Sequence, residues 1–134
     1  MPILMNWKQM DPPTMYYAMV DPWTWQQFHE AVSESRRTIE SCQFTSVDMI
    51  IDWSQTTKLP PHMLSSLSAL FQRGSTRSRH LEGRFVSVNS PLFVRVIIET
   101  IVRVYPKMAP RVLFASSVDE ALTLLASPLP QAVP

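Results

Sequence analysis

The sequence predicts an α/β domain with the element order β-β-α-β-α-β-α-β-α. It should hold a mostly parallel mixed sheet of about five strands and about four helices. Three observations lead there. Strand-like and helix-like patterns alternate after an opening pair of strands, which implies right-handed crossovers and parallel pairing. The stretch Val47–Trp53 contains Met49-Ile50-Ile51, apolar on both faces, as an interior parallel strand requires. Helix starts are marked by capping residues, Thr24 with Gln27 and Ser117 with Glu120.

Taken in order, residues 2–10 alternate Ile3, Met5 and Trp7 against Leu4, Asn6 and Lys8, a strand pattern. Asp11-Pro12-Pro13 is a turn. Thr14 to Val20 is a second strand that should form an antiparallel hairpin with the first, though two prolines disfavour a tight two-residue loop. Trp25, Phe28, Val32, Ser35 and Ile39 then give a helix its buried face, with Glu30, Glu34, Arg36, Arg37 and Glu40 mainly off it. The polar turn from Ser54 to Pro61 leaves the carboxyl end of the central strand, and Pro61 should open a helix over 62–73. Met63, Leu64, Leu67, Leu70 and Phe71 mark its apolar side, and Gly74 its end. Arg84–Val88 is a strand. Ser90-Pro91 reads as an N-cap followed by proline at the first helical position. Helix 92–105 is apolar around most of its girth, so coverage on both faces is expected, with Ile97, Ile101 and Val104 nearly inaccessible. Phe28 and Leu67 should be buried in other helices. Arg111–Ala115 is the last strand, and a final helix runs to Ala126. Residues 1–126 are read as one domain, and 127–134, with three prolines and no core pattern, as a loose tail.

Composition narrows function by exclusion. The chain has 134 residues, with 12 Lys and Arg against 11 Asp and Glu, a balance that speaks against a nucleic-acid binder. Cys42 is the single cysteine, which suits a reducing, cytoplasmic setting and offers no activated nucleophile. Arg95, Glu99 and Arg103 interrupt the most apolar helix, so no membrane span is expected. The start lacks the basic and long apolar regions of a signal peptide. Gly74 and Gly83 stand too far apart for a phosphate loop, His29, His62 and His80 do not form a metal pattern, and Gly-x-Ser-x-Gly is missing. No catalytic residue, cofactor or metal ligand is assigned.

At this point the chain resembles the STAS superfamily, the fold of bacterial anti-sigma factor antagonists, and most closely its standalone SpoIIAA-like members. The likeness spans roughly residues 14–126 and rests on the first helix Trp25–Ile39, the central strand Val47–Ser54 and the following loop and helix to Phe71. The strand Arg84–Val88 and the ending Ser117-Val118-Asp119-Glu120-Ala121-Leu122 complete it. The resemblance implies a regulatory protein-binding module. Family antagonists carry a phosphorylatable Asp-Ser-Ser-Gly stretch at the start of the second helix. Here those positions read Pro60-Pro61-His62-Met63, so the serine switch does not carry over.

Two sets of candidate residues follow. The loop at the carboxyl end of the central strand is a place where open α/β sheets meet ligands and partners. It offers Asp52, Trp53, Ser54, Lys58, His62 and Met63 for partner binding. For Asp52 the alternative is a turn cap made by local hydrogen bonds. For His62 it is a polar residue in the first turn of the helix. The basic stretch with Arg73, Arg77, Arg79 and Arg84 offers anion binding, or is simply a solvated loop. A protein partner is the expected ligand, with a homodimer also open. The runner-up is a small-ligand or lipid carrier like the lipid-exchange domains of similar topology. An apolar cavity of a few hundred cubic ångströms would favour the carrier, and a filled core with an exposed apolar patch the interaction module.

Overall fold

A computed structural model describes residues 3–10, 13–41, 47–66, 68 and 83–126. Its five strands are β1 (Ile3–Met10), β2 (Pro13–Met19), β3 (Asp48–Asp52), β4 (Phe85–Val88) and β5 (Val112–Ala115). They lie side by side in chain order, β1 antiparallel to β2 and the rest parallel. The helices are α1 (Trp25–Ser41), α2 (Leu92–Val104) and α3 (Val118–Ala126), with a 3-10 segment Pro106–Arg111 between α2 and β5. A fourth helix opens in the β3–β4 crossover, where residues 63–66 and 68 are helical. The α/β order expected from the sequence is the order found.

Strand β3 sits in the middle, between β2 and β4, and all five of its residues are buried. A strand order that follows the chain, with right-handed crossovers, puts the crossover helices on one face. That face carries the larger core, where Met49 and Ile51 of β3 pack with Phe28, Val32 and Ile39 of α1 and with Val94, Ile97, Ile98 and Ile101 of α2. The other face is covered by α3, whose Ala121 and Leu125 close over Ile50, Val86 and Val88. The apolar run without alternation is thus explained, since each face of β3 meets a helix.

Local chemistry sets the element ends. Thr24 and Gln27 exchange the two bonds of a capping box at α1, Oγ1 accepting from the Gln27 amide at 3.2 Å and the Gln27 side chain accepting from the Thr24 amide at 2.9 Å. Ser117 caps α3 through the Glu120 amide at 3.1 Å, but the Glu120 carboxylate reaches back to Ser116, one residue short of a reciprocal box. Ser35 lies on the buried face of α1. Its hydroxyl donates to the Val32 carbonyl at 2.8 Å, which leaves its oxygen to accept from the buried Tyr17 hydroxyl at 2.5 Å. Burial pushes the Tyr17 phenol up to about 12, with Ser35 opposing, so it stays a neutral donor. Gly83 allows a close approach of backbones, because a Cβ there would overlap the Val47 carbonyl.

Four expectations need correction. The hairpin pairs Met10 directly with Pro13, so only two residues intervene despite the prolines; Pro13 lies at the strand's first position, where a missing N–H is tolerated. The helix after the loop begins at residue 63, not at Pro61, because His62 holds a positive φ of 66° and gives its carbonyl to the Ser66 amide. At α2 the cap position is Pro91, without a side-chain cap, since the Ser90 hydroxyl is bonded to Ser87 instead. Finally, α2 is covered on one side only. Ile97 and Ile101 are buried at 8% and 1% exposure, whereas Val104 is 65% exposed. Phe28 is buried as expected; Leu67, Cys42, the stretch 73–80 and the tail lie outside the described residues.

Truncation separates the two sides of α2. Ile101→Ala should lower unfolding free energy by about 2–5 kcal/mol through loss of buried contacts and a residual cavity. Val104→Ala should change it by less than about 0.5 kcal/mol. Chemical denaturation of both variants checks the contrast, and equal midpoints would contradict this packing.

Candidate functional site

The carboxyl ends of the parallel strands carry Asp52, the last residue of β3, with Trp53 and Ser54 after it, Asn89 and Ser90 after β4, and Ser116 and Ser117 after β5. Asp52 is buried, and its acceptor sites are engaged. The Tyr16 hydroxyl donates to Oδ2 at 2.7 Å, and the Ser54 amide donates to Oδ1 at 2.9 Å with the Ser54 hydroxyl beside it. Burial first, and then the Asp52 hydrogen bond and charge, raise the Tyr16 phenol well above its ordinary value. It is therefore a fixed donor, and Asp52 takes the turn-capping role that was one of its two readings. Sequence reasoning missed Tyr16. The register pairs Ala18 with Asp52, so Tyr16 is the diagonal neighbour on the same sheet face, a relation visible only once the strands are aligned.

Two residues assigned to partner binding belong to the interior. Trp53 is 1% exposed and its Nε1 donates to Ser87 Oγ at 2.9 Å; Met63 is 4% exposed and lies in the larger core. The loop turns its apolar side chains inward because Trp53 continues the alternation of β3 toward the crossover helices. Trp23 stacks at 5.9 Å from Trp53 and 5.0 Å from Trp25, both tilted or edge-on. Ser54, Lys58 and His62 remain exposed, with the Asn89 amide donating to Ser54 Oγ at 3.4 Å.

The rest of the loop is fastened to the β2–α1 connection. Trp25 Nε1 donates to the Pro61 carbonyl at 2.7 Å, and Trp23 Nε1 to Thr56 Oγ1 at 3.2 Å. Thr56 donates onward to the Met19 carbonyl at 2.7 Å. Asp21 accepts the Thr57 amide at 2.5 Å as well as the Thr57 hydroxyl. These Thr57 bonds, the hydroxyl's first, hold the Asp21 carboxyl below the usual range.

Arg84, assigned to anion binding, is a structural staple. Its guanidinium meets Asp48 Oδ2 at 3.1 Å and the Leu125 carbonyl at 2.9 Å, and its amide donates to Asp48 Oδ1 at 2.7 Å. It joins the starts of β3 and β4 to the end of α3, and its side chain is only 12% exposed. Arg73, Arg77 and Arg79 lie outside the described residues.

The structure adds two features that were not anticipated. The outward side of α2 exposes Leu92, Phe93, Val96 and Val104 at 78%, 61%, 51% and 65%. Beside it, a cavity of about 360 Å³ opens among Asn89, Ser90, Arg95, Phe114, Ser116 and Glu120. Its charges are engaged: Arg95 Nε meets Glu99 at 3.0 Å while its guanidinium lies 4.5 Å from the Phe114 ring centre, and bonds from Ser116 hold the Glu120 carboxyl low. Among the described residues, no three His, Cys, Asp or Glu side chains gather as metal ligands, and no helix is long and apolar enough to cross a membrane. Comparison with family models, curated proteins and solved structures gives no match.

Two outcomes test this geometry. Arg84→Met should destabilise the fold by roughly 3 kcal/mol, because Asp48 is left buried without its partner, and an Asp48→Leu, Arg84→Met double variant should recover part of that loss in denaturation. Thr57→Val should raise the Asp21 pKa in an NMR titration. A depressed carboxyl stabilises the fold above its unfolded pKa and loses that effect as pH falls through the folded one. The charge-linked part of the variant's deficit should therefore be largest near neutrality and vanish in strong acid.

Proposed function

We propose that this chain is a non-catalytic, regulatory protein-interaction domain of STAS-like architecture, working in the cytoplasm without the family's serine switch. The element order and the sheet support the architectural part. Pro60-Pro61-His62-Met63 stand where the fourth helix opens, so the positions of the family serines carry no hydroxyl.

One observation carries the functional part, the bare apolar side of α2. A helix apolar around most of its girth is normally covered on both sides. Leu92 and Phe93 each neighbour Val96, at four- and three-residue spacing, and all three stand in water. Burying such side chains contributes about 1.5–3 kcal/mol each before the costs of association. Arg95 is exposed beside this patch, and Glu99 and Arg103 continue the stripe of Leu92 and Val96 below it, so charge bounds the apolar patch at the start of the helix. The docking surface is therefore placed on α2 and not on the 54–63 loop, whose Trp53 and Met63 are interior.

Capture from a native lysate tests the assignment, using wild type, a Phe93→Glu, Val96→Glu variant and a Lys58→Ala, His62→Ala variant. Circular dichroism should show all three folded, because every substituted side chain is exposed. The α2 variant should lose a stoichiometric partner that wild type and the loop variant retain. Loss in the loop variant alone, identical partner sets, or a lipid copurifying with wild type in native mass spectrometry would overturn it.

A further inference from the structure

Among the described residues, strand β1 is an edge of the sheet, paired with β2 on one side only. Edge strands are usually blunted by charge, proline or a bulge. Here the register breaks between Trp7 and Gln9, around the charged Lys8, so the second half of β1 is blunted. The first half, Ile3 to Asn6, pairs regularly with β2 and carries neither charge nor proline.

A groove of about 430 Å³ runs beside that unprotected half. It is lined by Ile3, Leu4 and Met5, three consecutive residues of that half. Its opposite wall is α1, which contributes Ala31 between Glu30 and Glu34. Both carboxylates are exposed, and neither has an ion-pair partner among the described residues. Glu30 accepts only an i to i+4 bond from Gln26, at 3.3 Å.

We infer that this groove docks an extended cationic segment of a partner protein, which adds to β1 as an outer strand and places basic side chains at alternate positions against Glu30 and Glu34. The spacing supports the match. Four residues of helix rise about 6 Å, and alternate residues of an added strand lie about 6.7 Å apart on one face. Main-chain bonds to the free edge would supply affinity, and the glutamate pair would supply selection. A second copy of the chain fits poorly. Two β1 strands joined about a twofold axis would bring two α1 helices, each with Glu30 and Glu34, toward one another, and like charges disfavour that closure. The site is separate from the α2 surface and does not rest on it.

Fluorescence anisotropy with a labelled Lys-Val-Lys-Val-Lys-Val peptide tests the inference, against its Glu-Val counterpart and a version N-methylated on alternate amides. Wild type should bind the lysine peptide alone, more weakly as salt rises. Amide shifts on binding should centre on Ile3 to Asn6 and on α1. A Glu30→Lys, Glu34→Lys variant, altered only at exposed positions, should bind it at least about tenfold more weakly and gain the glutamate peptide. Binding by the N-methylated peptide, unchanged affinity in the variant, shifts centred elsewhere, no binding at millimolar peptide, or dimerisation through β1 without peptide would each overturn it.

Discussion

The structure depends on the double burial of β3. Asp48–Asp52 is covered on both faces, so a helical layer is required on each side of the sheet. The two sides are not filled alike. Because the strands follow chain order, the crossovers stack α1 and α2 on one face. Among the described residues, only α3, following β5, reaches the other. Nine residues of helix cover β3 to β5 and leave the far end bare, where Leu4, Asn6 and Lys8 are exposed and the Lys8 ammonium sits 5.2 Å from the Tyr16 ring centre. The unprotected edge and the uneven cover are thus consequences of one topological choice.

Burying β3 also buries an aspartate at each of its ends, and a carboxylate out of water needs partners. Asp48 finds Arg84 and the Arg84 amide; Asp52 finds Tyr16 and the Ser54 turn. The two clamps tie the strand to opposite neighbours, one through β4 and the end of α3, the other through β2. Residues that look chemically suggestive in the sequence are therefore committed to holding the central strand. Asp52 and Arg84 are the clearest cases, since each has its polar atoms directed into the fold.

What could be read in advance was what local periodicity encodes. The element order, the Thr24 box, and the burial of Phe28, Ile97 and Ile101 all follow from spacings of two, three or four residues. What escaped depends on contacts between distant parts of the chain. Arg84 and Asp48 are far apart in sequence and meet only because β3 and β4 are neighbours. Trp53 and Met63 flank a polar loop, and no pattern within that loop says whether such side chains turn inward. Val104 shows the limit of composition: an apolar girth shows that a helix suits burial all round, but not which sides its own chain covers. The same ambiguity that misplaced Val104 marks α2 as the surface with something left to bury.

The contrast between loop and helix is energetic. Docking on the 54–63 loop would compete with bonds already made by Thr56, Thr57 and Pro61 to the β2–α1 connection, each with a net contribution of about 0.5–1.5 kcal/mol. The side chains with the most apolar area to offer there, Trp53 and Met63, are already in the core and would have to leave it. The outward side of α2 requires neither loss. Leu92, Phe93 and Val96 are held on a helix anchored by Val94, Ile97, Ile98 and Ile101, so the proposed partner would meet them preorganised and displace only water. The loop therefore serves as a rigid brace between β2 and β3, and the recognition surface we propose is the rigid element whose apolar side chains are left uncovered.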